Sequence, residues 1–126
     1  MKRTLRKRPV RVGEIAYARS GDKGSGANVG VIAYTPEGFV LLRNTLSAAR
    51  VGKFFKGLGV GKVVRYELPN LGAFNFILPE VLAGGASRSL RIDAQGKTLG
   101  QAILEMKLEL SEMELIRCQP TRKKTP

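Results

Sequence analysis

Apolar residues recur along the chain in several rhythms, and each rhythm predicts an element. Residues 12–18 alternate in part, with Val12, Ile15 and Tyr17 at the apolar positions, and read as a first strand. Residues 29–34, Val-Gly-Val-Ile-Ala-Tyr, are largely apolar, the pattern of a buried second strand. Thr35-Pro36 then supplies a cap residue and a proline at the first helical position. The helix that follows is expected to carry Phe39, Val40 and Leu42 and to end near Asn44. Ser47 opens another, in which Val51, Phe54, Phe55 and Leu58 fall at i, i+3, i+4 and i+7 and make one apolar face. Gly57 and Gly59 stop it.

The second half is less regular. Residues 62–68 combine β-branched and aromatic residues and close at Pro69, a third strand. Residues 71–82 are ambiguous: their apolar density fits a buried helix, but Pro79 would have to kink it or start a new turn. Gly84-Gly85 breaks the chain before a fourth short strand over residues 88–92, and residues 93–97 carry turn chemistry. Thr98 caps a helix with Leu99, Ala102, Ile103 and Met106 inside. Beyond Met106 the pattern allows either more helix or the alternation of Leu108 and Leu110. Helices recur after strands without strict alternation, which favours an α+β sandwich over a doubly wound sheet. The expected architecture is a mixed sheet of about four strands with helices packed on one face.

A chain of 126 residues with 43% apolar content makes one domain with a real core. No apolar run reaches the roughly 18 residues that span a bilayer. The basic start has no apolar segment behind it, so it does not read as a secretory signal, and a cytoplasmic location is expected. The absence of histidine excludes Ser-His-Asp relays, Cys-His pairs and imidazole metal sites from this chain. Cys118, the single cysteine, excludes an iron–sulfur cluster, a zinc knuckle and an internal disulfide. Neither a metal nor a cofactor is expected.

The formal charge of +12 suggests nucleic acid until it is divided along the chain. Ten of the 22 basic residues lie before Val12 or after Ile116, leaving twelve against all ten acidic ones in between. The expected organisation is therefore a basic tail over residues 1–11, a nearly neutral domain over 12–116 and a second basic tail over 117–126, disordered from Gln119. Such tails attract any polyanion without reading its sequence. Deleting residues 1–9 and 119–126 should then leave melting nearly unchanged while polyanion binding collapses.

Two glycine-rich segments carry the candidate chemistry. Residues 20–28, Ser-Gly-Asp-Lys-Gly-Ser-Gly-Ala-Asn, combine a permissive backbone with Asp22, Lys23, Ser25 and Asn28 between two strands. The competing reading is a long hairpin connection. Residues 84–91 place Ser87, Arg88, Ser89 and Arg91 in a similar setting, where the arginine fork suits a carboxylate or phosphate. The competing reading is a loop entering a strand with Arg88 paired to a neighbouring carboxylate. Asn75, inside Ala73-Phe-Asn-Phe-Ile77, must find partners if buried, in the fold or in a ligand. The ligand-binding candidates are Asp22, Lys23, Asn28, Asn75, Arg88 and Ser89; no catalytic residue is identified. If the two loops form one site, they should share an edge of the sheet. Arg50, Lys53 and Lys56 read as a solvated helix face, and Gly57 to Lys62 lacks the spacing of a phosphate loop. Gly24-Ser-Gly26-Ala-Asn-Val29 has valine where a dinucleotide fingerprint needs its third glycine.

Taken together, Ala18-Arg-Ser-Gly-Asp-Lys-Gly24, Ala27-Asn-Val-Gly-Val-Ile-Ala33, Arg65-Tyr-Glu-Leu-Pro-Asn-Leu71, Ala73-Phe-Asn-Phe76 and the run from Gly84 to Lys97 resemble a known family. It is the C-terminal domain of the AtuA-like (acyclic terpene utilisation) proteins, and the resemblance covers residues 12–106. It implies a ferredoxin-like α+β fold, a name for topology that requires no cluster. It also implies a domain that follows a much larger one or is made as a separate small subunit, in bacterial breakdown of terpenoid or acyl-CoA-type compounds. Ser25-Gly26 stands where the family more usually has an acidic and a small polar residue. The expectation is an accessory or interaction subunit of a larger AtuA-like partner, and a homo-oligomer in isolation. The alternatives are a self-contained enzyme or small-anion binder for a carboxylate or acyl-CoA phosphate, and non-specific nucleic-acid binding through the basic tails.

Overall fold

The computed structural model describes residues 6–23, 26–79 and 99–120, without the side chains of Asp22 and Lys23. β1 (Lys7–Arg11) leads through a 3-10 turn to β2 (Ala16–Lys23) and β3 (Gly26–Ala33). Two helices follow, α1 (Pro36–Thr45) and α2 (Ala48–Phe54), then β4 (Val64–Leu68) and β5 (Ala73–Leu78). The described chain ends with α3 (Leu99–Ile103), β6 (Lys107–Ser111) and α4 (Glu112–Cys118). The strands make a four-stranded sheet of order β2-β3-β5-β4 and a two-stranded ribbon, β1-β6. Together with the helices this is a ferredoxin-like α+β fold.

Every pairing among the described residues is antiparallel, where a mixed sheet was expected. For β2–β3 and β4–β5 the reason lies in the connections, which are far too short for a parallel crossover. Within the stretch that the sequence leaves ambiguous, residues 73–78 are strand and not helix. Phe74, Phe76 and Leu78 are buried while Asn75 and Ile77 between them are half-buried, the period of a strand. Residues 7–11, assigned from charge to a tail, form β1, with Val10 buried opposite Leu108. The chain after Met106 follows the alternation of Leu108 and Leu110 and becomes β6. The strand expected over residues 88–92 lies outside the described residues.

One face of the large sheet makes the core. Ala27, Val29 and Val31 of β3 pair in register with Leu78, Phe76 and Phe74 of β5. These join Phe39, Leu42 and Leu46 at α1, Ile103 of α3, and Val10, Leu108 and Leu110 of the ribbon in one buried cluster. The Phe39 and Phe74 rings stack with centroids 4.7 Å apart. Gly100 lets α3 approach β2 closely: a Cβ there would sit 3.3 Å from that of Ala18.

Local hydrogen bonds set the helix starts as the sequence predicts. Thr35 Oγ1 accepts from Gly38 N at 2.9 Å, and Ser47 Oγ accepts from Arg50 N at 3.1 Å. Arg65 holds the other end of α1: its Nη1 donates to the carbonyls of Arg43 and Leu46 at 3.0 and 2.9 Å. The side chain lies over Phe74 and donates through Nη2 to Glu67. Arg50 is exposed, as expected of a solvated face, and also donates to the carbonyls of Thr45 and Lys107, tying α2 to β6.

α4 begins with a reciprocal cap. Glu114 N donates to Ser111 Oγ at 3.2 Å, and Ser111 N donates to Glu114 Oε1 at 2.8 Å. The Ser111 N–H holds the Glu114 carboxyl below the ordinary range, helped by Lys7 and opposed by burial. A carboxyl depressed in the folded state stabilises above its unfolded pKa, and that stability is lost as pH falls through the folded value. Glu114→Gln is therefore expected to lower the melting temperature at neutral pH, with the difference from the unaltered protein closing in acid. Ser111→Ala should cost about 1 kcal/mol. Thermal melts across an acid-to-neutral series check both; a Glu114→Gln deficit that persists in acid would refute the assignment.

Candidate functional site

The second face of the sheet follows from the same registers. Three rows of residues cross it from β2 to β4. The middle row is Arg19, Gly30, Asn75 and Tyr66; on one side lies Tyr17, Ile32, Ala73 and Leu68, on the other Gly21, Asn28, Ile77 and Val64. Small residues at the centre, Gly30 and Ala73, leave a groove of about 400 Å³ with Tyr17, Arg19, Ile32, Leu68 and Leu71 around it. A Cβ at Gly30 would meet only the backbone oxygens of Arg19 and Phe74, at 3.8 and 3.9 Å. At this one position the groove floor is main chain. Tyr17 stacks on Tyr34 at 5.6 Å, and Tyr34 borders an adjoining groove of about 450 Å³ with Pro36, Val40 and Pro69.

Two candidates meet in the first groove. Asn28 Nδ2 donates to Asn75 Oδ1 at 3.2 Å, and both side chains are half-buried. Gly30 stands directly opposite Asn75, so no side chain intervenes as the amide leans diagonally toward Asn28. The amide each residue needed thus comes from the other, and the pair leaves polar atoms on an otherwise apolar floor. Arg19, in the Gly30 row, is the one cation among the described residues that line this groove.

The 20–28 segment is not a long loop. β2 runs to Lys23 and β3 begins at Gly26, with Asp22 paired to Ala27 and Lys23 to Gly26. Their side chains lie outside the described residues, as do Arg88 and Ser89 and with them the idea that the two loops share an edge. Tyr17, Arg19 and Tyr66 were not among the candidates. A period-two reading of residues 73–78 would have placed Asn75 on the open face.

The charge picture changes where the ribbon forms. Lys7, Arg8 and Arg11 pair with Glu114, Glu112 and Glu105 at 3.4, 3.5 and 3.1 Å. These cations are thereby partly neutralised within the fold. Cys118 is a buried free thiol; burial pushes its pKa up, as do Glu114 and Glu37, which suits packing and not nucleophilic chemistry. Among the described residues no group of three or more His, Cys, Asp or Glu is placed to hold a metal, and no helix is long and apolar enough to cross a membrane.

The family model for the AtuA ferredoxin-like domain matches residues 10–109. No curated protein and no solved structure matches the chain.

Proposed function

The chain belongs to the AtuA ferredoxin-like domain family, and from that premise we propose that it is an accessory subunit of a larger AtuA-like protein. It docks through the open face of its four-stranded sheet and serves cytoplasmic catabolism of terpenoid or acyl-CoA-type compounds. The observation that carries this reading is the apolar character of that face. Tyr17, Leu68 and Leu71 stand 44%, 40% and 68% exposed around the groove, left uncovered by the described helices. Contiguous apolar surface of this kind marks interaction sites, and aromatic and aliphatic anchors around a cleft supply most of the binding energy in such contacts.

Co-expression with the large AtuA-like protein tests the proposal. The two chains should co-purify, and Leu71→Asp should weaken the complex by about 2 kcal/mol, roughly thirtyfold. The substitution should leave the melting temperature of the isolated chain almost unchanged, because Leu71 is 68% exposed. A complex that forms equally well with Leu71→Asp and Tyr17→Asp would place docking elsewhere.

The Asn28–Asn75 pair beside Arg19 favours a second reading, in which the same groove takes a small carboxylate or an acyl-CoA phosphate. Amide and guanidinium donors on an apolar floor are what such a group requires. Titration calorimetry of the isolated chain with short carboxylates and with coenzyme A, against Asn75→Ala, separates this role from docking.

A further inference from the structure

We propose that β4 pairs with β4 of a second copy of this chain, antiparallel and centred on Tyr66, joining two four-stranded sheets into one of eight. β4 closes the strand order and is an edge among the described residues. Edge strands in isolated domains are normally guarded by lysine, proline or a bulge, since their unpaired N–H and C=O groups template another strand. β4 has no lysine, proline or bulge, and its two core-face charges, Arg65 and Glu67, are opposite in sign, so they attract when the strand meets a copy of itself. Its sequence is Val-Arg-Tyr-Glu-Leu, and its register against β5 runs unbroken from Val64 to Leu68. Four of its five residues are exposed; only Arg65 is half-buried.

The strand is also complementary to itself. Centred on Tyr66, an antiparallel pairing sets Val64 opposite Leu68 of the second copy, Arg65 opposite its Glu67, and the two Tyr66 residues opposite each other. Apolar residues then meet on the open face and opposite charges meet on the core face. Arg65 is fixed for this role, because the carbonyls of Arg43 and Leu46 hold its Nη1 while Nη2 reaches Glu67 at 3.1 Å. Each Glu67, with its side chain 38% exposed, would lie between two guanidinium groups.

Neighbouring registers fail. A slip by one residue sets the open-face residues of one copy against the core-face residues of the other. Moving the centre to Arg65 or to Glu67 puts like charges directly opposite, which is destabilising. The Tyr66-centred register alone satisfies both the pleat and the charges. It leaves the open faces of the two copies side by side, and so does not depend on what docks there.

Sedimentation equilibrium of the full chain across a wide concentration range should show a reversible dimer. Tyr66→Lys sets two ammonium groups opposite each other on the two-fold axis, and Glu67→Arg sets arginine opposite Arg65; each should weaken the dimer at least about tenfold. Tyr66→Cys should give a covalent dimer on mild oxidation, because residues directly opposite fall within disulfide reach. Val64→Cys and Leu68→Cys should cross-link when mixed and not when alone. The cross-linking arm also decides the matter if either charge variant fails to fold. A monomer at every concentration, a dimer that neither charge variant weakens, or cross-linking of Val64→Cys alone in place of Tyr66→Cys would overturn the proposal.

Discussion

Phe74→Ala is expected to cost about 3–5 kcal/mol and to bring the protein close to unfolding at room temperature. Phe74 is completely buried at the middle of the sheet, in register with Val31 on one side and Glu67 on the other. Its ring stacks on Phe39 of α1 and lies beneath the guanidinium of Arg65, 5.1 Å from the ring centroid. Alanine would leave a cavity where two layers meet and remove the surface that supports Arg65, the side chain that closes the end of α1. A loss of several kinds at one position distinguishes it from an ordinary core truncation. Phe54→Ala provides the comparison, since Phe54 is 43% exposed and packs edge-on against Phe55. That variant should lose about 1 kcal/mol or less. Urea unfolding of both measures the difference, and equal shifts would mean that the Phe39–Phe74–Arg65 stack contributes little.

What the sequence made legible was local. Thr35 and Ser47 announced α1 and α2 because a cap is a contact between residues three apart, and the structure contains both bonds. β5 was obscured for the opposite reason. Ile77 and Ala73 are apolar on the open face, so an alternating strand looked like a continuous apolar run, and length and Pro79 gave no clear decision. Asn28 and Asn75 were each recognisable as polar residues in apolar surroundings. Their hydrogen bond depends on the β3–β5 register, which no window of either segment contains. The glycines of residues 20–28 looked like a loop, yet Gly21 lies inside β2 opposite Asn28. A Cβ there would come within 3.3 Å of Asn28 Oδ1, which ties this glycine to the amide pair as well as to the turn.

β1 is the strand that composition concealed most fully, and it carries the other large expected effect. Among its five residues only Val10 is buried, so the stretch reads as a cationic tail. Its place is decided by pairing with β6, where Val10 lies opposite Leu108 and Arg8 opposite Leu110. Removing residues 1–11 would strip one side from the β6 ladder, uncover Leu108 and Leu110, and delete a fully buried valine. Burial of that side chain alone is worth roughly 1.5–3 kcal/mol, and the exposed partners add to it. A total loss of at least about 3 kcal/mol is therefore expected, against the unchanged melting that a free tail would give. The three ion pairs are a minor part of this. The cations and carboxylates are about half exposed or, at Glu114, a third exposed, and exposed pairs of this kind contribute about 0–1 kcal/mol each. Lys7→Ala, Arg8→Ala and Arg11→Ala combined should thus reduce polyanion binding while lowering the melting temperature only slightly. Melting curves of the truncated chain and the triple variant decide between strand and tail. A truncated chain that melts with the full one would show that the β1–β6 ribbon adds nothing to the fold, whereas a triple variant as unstable as the truncation would shift the weight from the strand to its charges.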